Sequence, residues 1–316
     1  MNPFLLNKKT LKGSITLDPL TIDPIYSSST KNIEISILRL DKLHPIVSGN
    51  KWFKLRYYVE DAIHKSYSTL ASFGGPYSNH LVALAFVAKE NNLKSIGYVR
   101  SSKEDIITPS LKEAISYGMQ LEFIGRTHFQ EIKNNLLKTN QHKRIDESSA
   151  YFIDEGGYGL MGAKGAASIL NAHNKDYTTK NYSTIIAAVG TGTMLAGLIN
   201  AAEAHQQVIG VPVLKNENTI EDEIKSLLIN KEAPFTLLHS YHQGGYAKTN
   251  SALFAFMNQF WTLEKIPTDI VYTGKLLYAV DSLLKKNYFK KGSKILVIHS
   301  GGLQGNRSLP FGTLLY

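Results

Sequence analysis

Cysteine is missing from all 316 residues. Its absence removes disulfides, thiolate metal ligands and a cysteine nucleophile together, so any covalent chemistry must use another side chain. Long hydrophobic runs are missing as well: no stretch of about 18 apolar residues occurs that could span a bilayer. The opening Met1-Asn2-Pro3-Phe4-Leu5-Leu6 is too short and poorly flanked for a signal peptide. A soluble cytoplasmic protein is the expectation. Internal repeats, low-complexity tracts and long linkers are also lacking, as is any cluster that would suggest a metal site. Lys and Arg number 35 against 26 Asp and Glu, for a net charge of +9. That charge is dispersed: the doublets Lys285-Lys286 and Lys290-Lys291 are separated by Asn287, Tyr288 and Phe289, as in a solvated helix end. Without a basic, aromatic-lined stripe, no nucleic-acid partner is expected.

What is present is a 43% hydrophobic chain, long enough for two domains or one large α/β unit. Short strand-like segments run over Ile33 to Leu38, Thr69 to Phe73, Ser95 to Val99, Leu121 to Ile124, Thr184 to Val189, Val208 to Val213 and Lys294 to His299. Between them lie helical spacings: Leu81, Leu84, Ala85 and Ala88; Leu195, Leu198 and Ile199; Leu276, Leu277, Val280, Leu283 and Leu284. Such alternation predicts parallel sheets covered on both faces, with ligands at the carboxyl ends of the strands.

Three strand-end loops therefore carry the interest. Gly190-Thr191-Gly192-Thr193-Met194 follows an apolar strand and opens an apolar helix, where backbone N–H groups and the helix dipole converge on an anion. It lacks the G-x-G-x-x-G and G-K-[ST] spacings of nucleotide loops, so it reads as a cradle for a phosphate monoester or as a tight turn with no ligand. Ser78, after Gly74-Gly75, is either a helix N-cap or a hydroxyl aimed into a cleft, and His80 is a packed helix-face residue or a partner to the site. No G-x-S-x-G elbow surrounds Ser78, which disfavours a hydrolase triad. The third loop is Ser300-Gly301-Gly302. Lys51 opens a helix over Trp52 to Glu60, one turn from Lys54. Most lysines there are solvated, but repulsion between the two would favour a neutral amine if they are partly buried, and a neutral amine forms an imine with an aldehyde.

Read together, Asp41-x-x-His44-Pro45-x-x-Ser48-Gly49-Asn50-Lys51-x-x-Lys54-Leu55, Phe73-Gly74-Gly75-x-Tyr77-Ser78-Asn79-His80, Tyr272-x-Gly274-Lys275 and His299-Ser300-Gly301-Gly302 resemble the 1-aminocyclopropane-1-carboxylate (ACC) deaminase / D-cysteine desulfhydrase family. Order and spacing agree from about residue 35 to 305. The resemblance implies the pyridoxal 5'-phosphate (PLP) enzymes of fold type II, the tryptophan-synthase-β-like α/β fold. Two three-layer α/β domains with open, twisted, mostly parallel sheets are then expected, residues 52–155 being inserted between 1–51 and 156–316. A homodimer is also implied.

It further implies that Lys51 is the Schiff-base lysine and the base for the Cα proton. Asn79 would bond the pyridine 3-hydroxyl, and Lys54 with the backbone of Thr191, Gly192, Thr193 and Met194 would hold the phosphate. Ser78, Asn79, His80, Tyr246 and Ser300 would face the substrate, Ser78 also as nucleophile or proton shuttle, and Tyr272 would lie near the cofactor ring. Two positions depart from the deaminase pattern: Thr273 replaces a glutamate and Ser300 a leucine. A threonine opposite the pyridine nitrogen offers a neutral hydrogen bond and a weaker electron sink than a glutamate. Hydroxyls at both places are the D-cysteine desulfhydrase pattern, so D-cysteine is the expected substrate, with ACC as the alternative and a non-catalytic PLP-binding protein as the reading from another class.

Overall fold

Residues 19–25, 32–101, 107–139, 150–171, 178–215, 219–229 and 233–316 are described by the computed structural model; the Met1 to Leu6 segment lies outside them. Strands β1 (Ile22–Ile25) and β2 (Glu34–Arg39) pair antiparallel, and α1 (Asn50–His64) follows. The chain then alternates through β3 (Thr69–Gly74), α2 (Asn79–Glu90), β4 (Lys94–Arg100), α3 (Pro109–Ser116), β5 (Met119–Ile124), α4 (Arg126–Thr139) and β6 (Ala150–Ile153). After α5 (Leu160–Ala167) come β7 (Thr184–Val189), α6 (Thr193–Ala201), β8 (Gln207–Pro212), α7 (Ile220–Ser226) and β9 (Phe235–Leu237). Two consecutive helices, α8 (Ser251–Glu264) and α9 (Thr273–Lys285), precede the last strand, β10 (Lys294–His299).

These strands build two sheets. The larger has the order β1-β2-β10-β7-β8-β9 and the smaller β5-β4-β3-β6, all parallel except β1 against β2. Alternating residues of one strand serve opposite faces: Leu296 and Ile298 join the core under α5 and α6, whereas Ile295 and Val297 meet Leu276, Val280 and Leu283 of α9. On the smaller sheet Leu70, Tyr151 and Ile153 face the α1/α2 side. Phe73, Tyr98 and Phe152 stack on the other, with ring centroids 5.3 to 6.2 Å apart, under Phe129 of α4.

Sequence and structure agree on the seven long strands to within two residues at each end. Among the described residues no helix is long and apolar enough to cross a membrane.

Candidate active site

The loops leaving β2, β7, β8 and β10 and those leaving β3 to β6 face one another across a cavity of about 780 Å³. This is the carboxyl-end location that parallel sheets reserve for ligands.

Register explains why Lys51 sits at its wall. Arg39 pairs with His299, so the loops that continue from β2 and β10 run side by side. Gly49 adopts φ +69°, and a Cβ there would fall 1.8 Å from the Ser300 carbonyl oxygen. The Gly49 N–H donates to Leu40 O at 2.8 Å and the Asn50 N–H to Ser300 O at 3.1 Å. Beneath them Asp41 accepts two hydrogen bonds from Arg39, at 2.6 and 2.8 Å, and lies 3.1 Å from His299 Nδ1, while His299 Nε2 donates to Pro267 O at 2.7 Å. Burial alone would raise the Asp41 carboxyl; Arg39 and His299 outweigh it and hold it below the usual range.

From this base the Lys51 ammonium donates to Asn50 Oδ1 at 2.8 Å and stands 5.9 Å from the Tyr272 ring centroid. Burial lowers its pKa to about 8, against an opposing pull from Asp269. Lys54 is 5% exposed and held well below its usual value, first by burial and then by the charge of Lys51. Burial is thus the larger cause at both lysines, and the mutual repulsion read from the sequence falls on Lys54.

Ser78 is the N-cap of α2, accepting from the Leu81 N–H at 3.3 Å, and it also lines the cavity. Capping uses an oxygen lone pair and leaves the hydroxyl hydrogen free to donate. Asn79 donates to Gly302 O at 3.4 Å, and its Oδ1 is buried with no partner. Ser72 spends its hydroxyl hydrogen on Ile153 O at 2.7 Å, so His80 Nε2, 2.8 Å away, must donate to Ser72. His80 Nδ1 is then an unprotonated acceptor, also buried without a partner, in a ring kept neutral by burial and by Lys54 and Lys51.

On the facing sheet, Gly192 takes φ +74° as N-cap of α6 and exposes the first-turn N–H groups. Thr191, Gly192 and Met194 line the cavity. Thr193 does not: its side chain is buried behind the loop, its hydroxyl 3.0 Å from that of Thr191. Gly156 brings the two sides together: a Cβ there would lie 3.0 Å from Thr191 and 3.7 Å from Lys54 Nζ.

Tyr272, Tyr246 and Ser300 line the cavity as well, the two tyrosine rings meeting edge-on at 6.3 Å. Burial holds the Tyr272 phenol well above its ordinary value, so it is a hydrogen-bond donor. Thr273 requires a correction. Its hydroxyl donates to Asp269 Oδ1 at 2.6 Å and accepts the Asp269 N–H at 2.7 Å, outside the cavity wall. The reason is helix capping: the Asp269 carboxylate takes the N–H groups of Val271, Tyr272 and Thr273 at 2.8 to 2.9 Å, and Thr273 completes that set.

Arg100, Arg126, Gln130, Lys133, Asp154 and Glu155 also line the cavity and were missed. Arg100 and Arg126 end or follow strands that the sequence does reveal, so the carboxyl-end rule locates them. Asp154 and Glu155 follow β6, whose 4 residues carry too little pattern to read.

The chemistry of this donor set fits one kind of ligand. A helix N-terminus and a buried lysine paired with no carboxylate among the described residues suit an anion. An orphaned amide oxygen suits a hydroxyl, and a neutral-leaning lysine suits an aldehyde. The fold is shared with a crystal structure described as an ACC deaminase homologue, at TM-score 0.77 and 23% identity over 97% of each chain. A family model described as pyridoxal-phosphate dependent enzyme matches residues 25–301, and the chain belongs to that family. Its cofactor is PLP. Among curated relatives, a putative ACC deaminase of Thermotoga maritima is 27% identical over 93% of this chain and 97% of its own. A D-cysteine desulfhydrase of Klebsiella pneumoniae is 27% identical over 85% of this chain and 87% of its own.

Proposed function

We propose that the protein eliminates the β-substituent of a small amino acid, D-cysteine foremost, converting D-cysteine and water to pyruvate, ammonia and hydrogen sulfide. The observation that carries this reading is the Lys51 amine, depressed to about 8 at the wall of a cavity that also holds an anion cradle and an orphaned acceptor. PLP, when bound, supplies the electron withdrawal that makes the Cα proton of an amino acid removable.

Lys51 would hold the cofactor and, once released, take up that proton; Asn50 Oδ1 orients its amine. Lys54 and the α6 N-terminus would hold the phosphate. Ser78, with its hydrogen free, would donate to the substrate carboxylate beside Asn79 and His80. A thiolate, of ordinary thiol pKa about 8.5, departs without prior protonation. Tyr272, whose phenol is held above 10, and Tyr246 next to it would therefore stabilise it as hydrogen-bond donors and not as acids. Ring opening of ACC expels carbon instead of sulfur and demands a stronger sink. Position 273 holds threonine where the deaminase pattern has glutamate, and Ser300, in place of that pattern's leucine, lines the cavity, which favours D-cysteine.

The test compares kcat/KM for D-cysteine and ACC, together with the cofactor absorbance of Lys51→Ala. D-cysteine is expected to be preferred and the variant to lose the visible band of the lysine-bound cofactor. A preference for ACC would make the protein a deaminase, and an unchanged band would remove Lys51 from the proposal. The homodimer belongs to the same proposal, with a light-scattering mass twice that of the chain as its expected outcome.

A further inference from the structure

One wall of the cavity is left without a task. Arg126, Gln130 and Lys133 stand at i, i+4 and i+7 of α4, on one face, and all three line the cavity beside Arg100 of β4. The adjacent face of the helix, about a quarter-turn round, sends Phe129, Ile132 and Leu136 into the aromatic cluster of the smaller sheet, so the polar face is held in place.

The charges of this wall do not balance. Lys133 pairs with Asp154 at 3.0 Å. Arg100 is 3.6 Å from Glu155, and its guanidinium lies 5.2 Å from the buried Phe129 ring, which props it. Arg126 pairs with no carboxylate among the described residues. Three cations thus meet two carboxylates, and the surplus is a guanidinium with an amide, Gln130, one turn away. Planar N–H donors of this kind match a carboxylate. The phosphate and the amino-acid carboxylate have their own donors elsewhere, at Lys54 and α6 and at Ser78. At about 780 Å³ the cavity is in the upper part of the ~300–1,000 Å³ range of small-molecule sites, with room beyond a thiol.

We propose that the Arg126–Gln130 face of α4 is a second anion subsite, and that the substrates include β-substituted amino acids whose substituent ends in a carboxylate. This rests on the β-elimination reading for turnover, but the subsite itself is a matter of binding and is tested apart from it.

D-α-Aminopimelate and its ω-amide are matched probes: they have equal length, differ in the terminal charge, and carry no leaving group that could be eliminated. Calorimetric titration of the holoenzyme is expected to show the acid binding roughly tenfold more tightly than the amide. In Arg126→Gln that ratio should fall to about one, through weaker binding of the acid. The same pair is run as the L enantiomers, and a preference lost with Arg126 in either series supports the subsite. Equal affinity for acid and amide in both series, or a preference that persists in Arg126→Gln, overturns it. Pyruvate release from D-cysteine, measured on the same preparation, decides the elimination reading separately, whatever the binding ratio.

Discussion

At the scale of single residues, burial more than neighbouring charge tunes the two lysines. Lys51 is placed at about 8 although Asp269 pulls it upward, whereas an ordinary lysine titrates near 10.4. In the apoprotein, capture of PLP by Lys51 is therefore expected to accelerate with pH, reach half its maximum near 8 and level off above about pH 9. Borohydride trapping followed by peptide mass analysis measures it; a rate still climbing at pH 10 would show the amine to be solvated. The effect on stability has the same sign. Between about 8 and 10.4 the unfolded chain keeps the proton that folded Lys51 has shed, so stability rises with pH across that window and is lost again as pH falls through 8. Ser78 illustrates why sequence alone left its role open: the same oxygen is a cap and a cavity donor, and nothing in a strand-end serine separates the two.

Among the elements, the junction of the β2 and β10 loops matters most. The Gly49 backbone is left-handed and its missing Cβ is the space occupied by Ser300 O. Gly49→Ala should lower stability in urea by at least about 2 kcal/mol, from strain and overpacking together. It should also weaken PLP binding beyond what unfolding explains, because this loop positions Lys51; a variant that keeps full affinity would show that another contact does so. Six-residue strands rich in Ile, Val and Leu were legible, as were the helices after the Gly74-Gly75 and Gly190 loops, whereas α3, α4, α7 and α8 were not. β1, β6 and β9, of 4, 4 and 3 residues, were not, because so short a run shows no period. Nor was α5, Leu-Met-Gly-Ala-Lys-Gly-Ala-Ala, whose two glycines argue against a helix. Its Gly165 is there for packing: a Cβ would sit 1.8 Å from Phe53 O of α1. The Thr273 role failed for a related reason, since a cap partner such as Asp269 is not visible as one until the turn is built.

For the molecule as a whole, the decisive fact is the order of the larger sheet. β10, near the end of the chain, lies between β2 and β7 and pairs with both. Its loop supplies Ser300 and Gly302 to the site and the carbonyl that holds Asn50. A chain ended at Lys291 keeps Lys51, Lys54, Ser78 and the α6 cradle, yet it is expected to trap no PLP at Lys51 and to lose its near-ultraviolet circular dichroism. Cofactor capture by that fragment would show that the site assembles without the central strand. The same geometry bears on synthesis. Lys51 precedes β10 by more than 240 residues, so the larger sheet stays unfinished through most of synthesis and PLP is expected to load only after β10 has emerged. A premature stop before β10 is expected to yield a polypeptide that added vitamin does not rescue.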